Sequence, residues 1–412
     1  MRAVRVWLLL RGWQSLADAA WIVYPVFFVR TLHMTPLQLI LVGTFMELAI
    51  FVFEVPTGIV ADVYSRRLSI VVGMVVMGTA SVGVALSEAP WEAIAAWALW
   101  GFGYTFTSGA TDAWLADEVG VENVRPAYLR GAQVARVAAL VGIGGSVGLA
   151  LVSLRLPILV AGALVASLGL TLALVMPETG FRRAPREQAE SALRTIARTG
   201  RSGALLVRTT PVLLLIMAIS AFGGAWSEGW DRLNEAHLLR DVGLPSFLGA
   251  GSVVWFGVIA VCGIALSIAV ARPVNRRLEL APRRAITRVL LALDVVLMGA
   301  AVLFALAGSF ALAFVAMMIL GVARSLAGPL FSSWLNQSIE DSSVRATVFS
   351  ITSQADAIGQ WTGGPAIGVI GNAFGIRAAL LAGAFLLSPA LWLYGRAARQ
   401  PELEHVPATA TS

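Results

Sequence analysis

Lysine is missing altogether: all thirty basic residues of this 412-residue chain are arginine. Guanidinium chemistry is not required at most such sites, so the uniform choice reads as a compositional bias of the source genome. A lysine-rich proteome in that source would refute the reading. Cysteine is nearly absent, and the lone Cys262 lies in an apolar run, which excludes a disulfide framework and a Cys-based metal site. His33, His237 and His405 are scattered without metal-ligand spacing, and no cofactor is expected. No G-x-x-x-x-G-K-[ST] stretch is present, which speaks against ATP-driven work. No nucleophile–base arrangement can be argued either, so the chain is not read as an enzyme. Charge is scarce: 13% of residues, against roughly 25% in soluble domains.

What fills the chain instead is apolar. Hydrophobic residues make up 58% and the mean hydropathy is +0.80, which places the chain in a lipid bilayer. In a soluble protein a pI of 10.3 would suggest nucleic acid; here an excess of arginine in the loops on one side explains it, and no nucleic-acid partner is expected. Arg2 and Arg5 precede an apolar run that has no A-x-A-type cleavage site and holds Arg11, Gln14 and Asp18. That run reads as a first spanning helix rather than a signal peptide.

A span needs about 20 mostly apolar residues. Spans are expected at 5–30, 37–61, 68–88, 90–115, 127–152 and 155–176, then at 209–238, 246–271, 284–306, 309–335, 345–371 and 376–397. The expected organisation is an N-terminal six-helix bundle (1–176), an arginine-rich linker (177–208), a C-terminal six-helix bundle (209–398) and a tail (399–412). Arginines gather at the N-terminus, in the 62–67 turn, in the linker, in the 272–288 loop and at Arg396 and Arg399. The other side has little beyond Arg30, Arg155, Arg240 and Arg377. By the positive-inside rule both termini and the linker are cytoplasmic, in a cell (inner) membrane.

The two halves repeat. Gly101, Trp114-Leu115, Val124-Arg125, Gly144 and Gly148 recur 220 residues later as Gly321, Trp334-Leu335, Val344-Arg345, Gly364 and Gly368. The turn Ala61-Asp62-x-x-x-Arg66-Arg67-Leu68 recurs as Ala271-Arg272-x-x-x-Arg276-Arg277-Leu278. Two six-helix halves in one orientation form a parallel repeat, which suits a transporter rocking about a midplane site.

The loop Gly58-x-x-x-Asp62-x-x-x-Arg66-Arg67 resembles the G-x-x-x-D-x-x-x-R-[RK] signature of the major facilitator superfamily. Ser65 stands where that family usually has a glycine, and Val63 where it usually has a basic residue. The resemblance covers the chain to about Arg399 and implies an all-α integral membrane fold of twelve transmembrane helices in two pseudo-symmetric six-helix bundles. Ser108–Asp117 and Ser227–His237 resemble segments of bacterial members labelled drug exporters. The resemblance further implies that Asp62 faces the N-terminal end of the eleventh helix near Ser342–Val344, and that Arg66 reaches Asp117. Gly58, Asp62, Arg66, Arg67, Asp117 and Arg345 are the expected gate.

It also implies that the first, fourth, seventh and tenth spans line a central cavity, and each of them carries charge: Asp18, Asp112, the trio Glu228, Asp231 and Arg232, and Arg324. Intramembrane charges are costly and mark functional candidates. Arg11, Gln14 and Asp18 share a helical stripe, as do Tyr104, Ser108 and Asp112, and Ser220, Ser227, Asp231 and Asn234. Asp18, Arg324 and Asp112 are the proton-coupling candidates. Two readings stand for Asp18: a proton carrier, or a static partner of Arg11 or Arg324. Arg324 is either a counter-charge that answers the proton or a structural partner of Asp356 or Asp294. Arg11, Gln14, Trp21, Tyr104, Trp226, Glu228, Trp230 and Asp231 are the candidate cavity lining. Trp226 and Trp230 could form an aromatic box for a cationic ligand, or an interfacial belt beside a local Asp231–Arg232 pair. Glu47, Glu54 and Asp356 are expected to face neighbouring helices. Asp294 fits poorly in a peripheral ninth span.

Gly359-Q-W-T-Gly363-Gly364-Pro365-A-I-Gly368 resembles the Gly/Pro-rich antiporter signature of that family, but lies in the eleventh span rather than the fifth. Tight helix packing explains such glycines equally well. The expected function is secondary transport, led by proton-coupled efflux of a hydrophobic or amphipathic small molecule by a monomer. Import or uniport of a metabolite is the alternative, and a non-transporting sensor or scaffold the remote one.

Overall fold

The computed structural model describes residues 2–182, 210–246, 251–278, 281–339 and 345–399. Most of the expected linker and the tail lie outside these residues, as does Ser342–Val344. The described residues are helical throughout, with no strand among them. Bilayer physics requires this, because backbone N–H and C=O groups find no water in hydrocarbon and must pair within each segment.

Twelve membrane-crossing segments follow in order. In the N-terminal half these are α1 (Arg2–Asp18) continuing into α2 (Tyr24–Arg30), α3 (Pro36–Val63), α4 (Arg66–Leu86), α5 (Pro90–Thr105) with α6 (Ser108–Val119), α7 (Val121–Ala150) and α8 (Arg155–Val175). In the C-terminal half they are α9 (Pro211–His237), α10 (Ser252–Leu278), α11 (Arg283–Ala305), α12 (Phe310–Gln337), α13 (Arg345–Phe374), and α14 (Ile376–Phe385) with α15 (Ser388–Ala397). Among the described residues, nine stretches are long and apolar enough to cross a membrane. The first and fourth spans are interrupted, and the eleventh is diluted by Gln354, Asp356, Gln360 and a run of glycines.

The ends and interruptions have local causes. Thr35 caps α3 by accepting from the Gln38 N–H, while the Gln38 side chain accepts from the Thr35 N–H, with Pro36 in the first turn. Ser65 and Ser309 cap α4 and α12 through Leu68 and Leu312. Pro25, which lacks an N–H, follows the 3-10 turn Ala19–Ile22 that breaks the first span. The fourth span breaks at Phe106–Thr107, where the Thr105 and Thr107 hydroxyls bond to the Phe102 and Tyr104 carbonyls. Gly120, with φ of 81°, turns α6 directly into α7. The helices therefore run past the apolar windows: the fourth span reaches Val119 rather than 115, and the fifth begins at Val121 rather than 127. Hydropathy marks the hydrocarbon depth, whereas helical hydrogen bonding continues into water.

The sequence repeat is also a packing repeat. In the N-terminal half the first span packs on the fifth, the second on the fourth and the third on the sixth. In the C-terminal half the seventh packs on the eleventh, the eighth on the tenth and the ninth on the twelfth. Small residues make the contacts close, as expected where lipid supplies no hydrophobic drive between helices. A Cβ at Gly359 would meet the Ala221 carbonyl, and one at Gly224 the Asp356 carbonyl. In the fifth span Gly142 packs on Leu16, whereas Gly144, Gly145 and Gly148 face open space.

The halves meet on the face opposite the two chain ends, here the distal face. Pro36, Leu37 and Ile40 pack against Gly371, Gly368 and Gly364, the Leu37 N–H donates to Asn372 at 3.0 Å, and Arg240 donates to the Met34 carbonyl at 2.6 Å. Val147 and Ile143 pack on Gly257. On the terminal face, Glu54, Val55 and Pro56 are exposed, and Arg66 pairs with Asp117 and Asp62 inside its own half. The cleft is thus open towards the chain ends and closed distally.

Candidate transport cavity

The seventh span organises the site. Glu228, Asp231, Arg232 and Glu235 follow at i, i+3, i+4 and i+7, so one face of α9 presents four ionisable groups. Glu228 is only 3% exposed and accepts from Arg232 Nε at 3.2 Å. The pair lies flat on Gly43 of α3, where a Cβ would collide with both side chains. Asp231 takes a bidentate pair from Arg324, at 2.5 and 2.9 Å, the geometry a planar guanidinium favours. The Arg324 guanidinium also sits 5.3 Å over the Trp226 ring. Glu235 makes no ion pair among the described residues, and its Oε2 is buried without a hydrogen bond.

Two compartments flank this face. The larger, about 620 Å³, lies between the fifth, seventh, eighth and tenth spans and is lined by Arg136, Trp230, Asp231, Asn234, Glu235 and Arg324 among others. The smaller, about 250 Å³, is walled by Trp21, Tyr24, Phe28 and Trp97 with Asp231, Arg232 and Glu235. Its aromatic wall is continuous: Trp21 meets Trp97 and Trp100 edge-on at 5.5 and 5.4 Å, Tyr24 meets Trp97 at 4.6 Å, and Tyr104 stacks on Trp100 at 5.6 Å.

These contacts correct three sequence expectations. Arg324 pairs with Asp231, not with Asp18, Asp356 or Asp294. Arg232 pairs with Glu228, not with its neighbour Asp231, because adjacent residues on a helix point apart whereas i and i+4 meet. Trp226 and Trp230 are buried and stacked at 6.3 Å, with Trp230 also against Phe304, so they form neither an interfacial belt nor an open box. The cation over Trp226 is the protein's own arginine.

Asp18 is exposed at the helix break, three residues before Trp21, and makes no ion pair among the described residues. The expected static partner Arg11 lies over the Trp7 ring at 5.7 Å instead. Asp112 is exposed, and Gln14 is half-buried. Asp294 is buried in the ninth span with one carboxylate oxygen unpartnered, and Asp356 accepts from Gln360 at 2.8 Å. His237 contacts Asp241 at 2.8 Å and the Phe304 carbonyl at 3.2 Å through its two ring nitrogens, which anchors the distal end of α9.

At the terminal face Arg66 binds Asp117 at 2.5 Å and Asp62 at 3.6 Å, while the Asp62 side chain stays 61% exposed. Glu178, read from the sequence as linker, accepts from the Ser65 hydroxyl and the Arg67 N–H. Arg67 also donates to the Ala173 carbonyl. A Cβ at Gly58 would point into open space, and Arg345 is exposed. These contacts tie the third, fourth and sixth spans within one half. Glu235, Gly43, Trp97 and Glu178 were missed by the sequence reading. Glu235 alone had a signal, its heptad spacing from Glu228.

The Major Facilitator Superfamily model matches residues 15–359. The chain belongs to the major facilitator superfamily. It is 23% identical over 359 residues to the uncharacterized MFS-type transporter YxaM of Bacillus subtilis (strain 168), covering 86% of each chain. Among solved structures this facilitator resembles a mutant of the nucleoside transporter NupG, with a TM-score of 0.80 at 14% identity over 96% of this chain and 99% of that one. It also resembles an inward-facing, unoccupied bacterial homologue of the human lysosomal transporter Spinster, with a TM-score of 0.73 at 14% identity over 96% of both chains. A POT family transporter in complex with 5-aminolevulinic acid gives 0.72 at 13% identity, over 96% of this chain and 95% of that one. Identities this low carry the fold and not the cargo. The chain is a multi-pass membrane transporter.

Proposed function

We propose that this facilitator is a proton-coupled exporter of hydrophobic or amphipathic small molecules, working by alternating access as a monomer in the inner membrane. The observation that carries the reading is the cleft itself. It is charged along the seventh span, aromatic along the first and fourth, open towards the arginine-rich face and sealed distally. With that face cytoplasmic, the state described is open to the cytoplasm and ready to load cargo. The bundles 1–176 and 209–398 are the rocking bodies, joined by 177–208. Asp18, exposed beside the aromatic wall and free of an ion pair, is the proton carrier; Asp112 and Arg324 complete the relay.

In proteoliposomes with a pH gradient, Asp18→Asn should abolish proton-driven efflux while leaving expression and folding intact. Unchanged gradient-driven transport would sink the coupling role. A second reading, import or uniport of a small metabolite, draws on the polar wall of the larger compartment, where Asn234, Ser267 and Arg136 stand. Transport that follows the substrate gradient regardless of pH would favour it.

A further inference from the structure

The smaller compartment has a charge count that the pairing around it does not close. Of the three carboxylates on this face of α9, Glu228 is held by Arg232 and Asp231 by Arg324. Glu235 is left over: it lines both compartments, and its Oε2 is out of solvent with no hydrogen bond. Arg136 borders the larger compartment but not the smaller one, and makes no ion pair among the described residues. A buried carboxylate without a partner is costly unless something neutralises it.

The wall opposite supplies the complement. Trp21, Tyr24, Phe28 and Trp97 line the compartment, and Trp21 keeps 39% of its surface open. The negative faces of aromatic rings attract cations, best when water is excluded. Such rings also take planar or apolar groups. The two compartments share Asp231 and Glu235 in their walls, so one ligand can place its charge against Glu235 and extend its apolar body into the larger chamber. An anion in the smaller compartment would meet two carboxylates, Asp231 and Glu235, while the lining Arg232 is already held by Glu228.

We infer that Glu235 and the aromatic wall of Trp21, Tyr24, Phe28 and Trp97 form a subsite for a lipophilic organic cation. The inference rests on the transporter reading and names the charge of its cargo. It is distinct from the stacked Trp226 and Trp230, where Arg324 already lies over the Trp226 ring.

The test uses purified full-length protein in nanodiscs, with separate titrations of tetraphenylphosphonium and tetraphenylborate, ions of the same shape and opposite charge, followed by tryptophan quenching. Wild type should bind the phosphonium and not the borate. Glu235→Gln should weaken phosphonium binding about tenfold or more, the loss expected for an unscreened charge contact. Glu235→Asp should keep the charge preference. Trp21→Ala should weaken binding several-fold, and Trp21→Phe should restore most of it. Equal binding of both ions, binding of neither, or full affinity in Glu235→Gln would overturn the subsite. If Glu235→Gln fails to elute as a single species, the wild-type charge preference and the Trp21 series decide. Glu235-dependent cation binding without pH-driven transport would keep the subsite and overturn the exporter reading. Efflux of cations unaffected by Glu235→Gln would do the reverse.

Discussion

Glu228 and Asp231 stand three residues apart on one helix, yet their arginine pairs should differ in energetic weight. Glu228–Arg232 is buried against Gly43, so removing one partner strands a charge away from water, at a cost of roughly 3–5 kcal/mol. Asp231–Arg324 is more than a third exposed, and solvent screening reduces the same loss to about 1 kcal/mol. Glu228→Ala should therefore lower the melting temperature of the purified protein far more than Asp231→Ala. Comparable shifts would show that the Glu228 pair is hydrated. Sequence spacing placed Asp231 on a stripe of the seventh helix with Ser220, Ser227 and Asn234, and left Glu228 off it. It could not choose partners, because an arginine with three acids in reach is assigned by the shape of the neighbouring helices.

Among the elements, α3 packs on both α13 and α9 in the distal seal, and Gly43 faces the Glu228–Arg232 pair of α9. A Cβ there would enter the space of Glu228 and Arg232, both fixed by their mutual pair. Gly43→Ala should push the second and seventh spans apart and populate a distal-open state. Spin labels at positions 33 and 246, in a Cys262→Ser background, should then report a longer distance; an unchanged distribution would refute the wedge. The spans themselves were legible from hydropathy, since about 20 apolar residues fix the hydrocarbon crossing. The interruptions in the first and fourth spans were not, because Pro25 and the Thr105–Thr107 hydroxyls leave the average hydropathy almost unchanged while removing or competing for backbone hydrogen bonds.

For the whole molecule, the terminal-face loop is the part that must change between states. In the open state Arg66 bridges Asp117 and Asp62 within one half, and Asp62 is left largely in water. An anion so placed is available for the opposing half when the cleft closes. Asp62→Asn should therefore lower cysteine cross-linking between positions 58 and 345, in the same cysteine-free background, by loosening the closed terminal face. Equal cross-linking in variant and parent would count against the gate. The matching turn has Arg272 where the first has Asp62, so the second half cannot offer the same anion.

By itself the sequence determined the bilayer, the number of crossings, the repeat and the family, because each follows from composition along the chain: apolar length, arginine placement and recurring residues at fixed offsets. It also put Asp18, Asp112, the Glu228–Arg232 segment and Arg324 on candidate cavity helices. The tertiary structure decided which charges cancel. Arg324 closes on Asp231 across a helix boundary, Arg232 closes on Glu228 over a glycine of the other half, and Glu235 is left facing an aromatic wall from the first and fourth spans. Ion pairing depends on distances of a few ångströms between segments that are far apart in sequence, and only the packed helices set those distances.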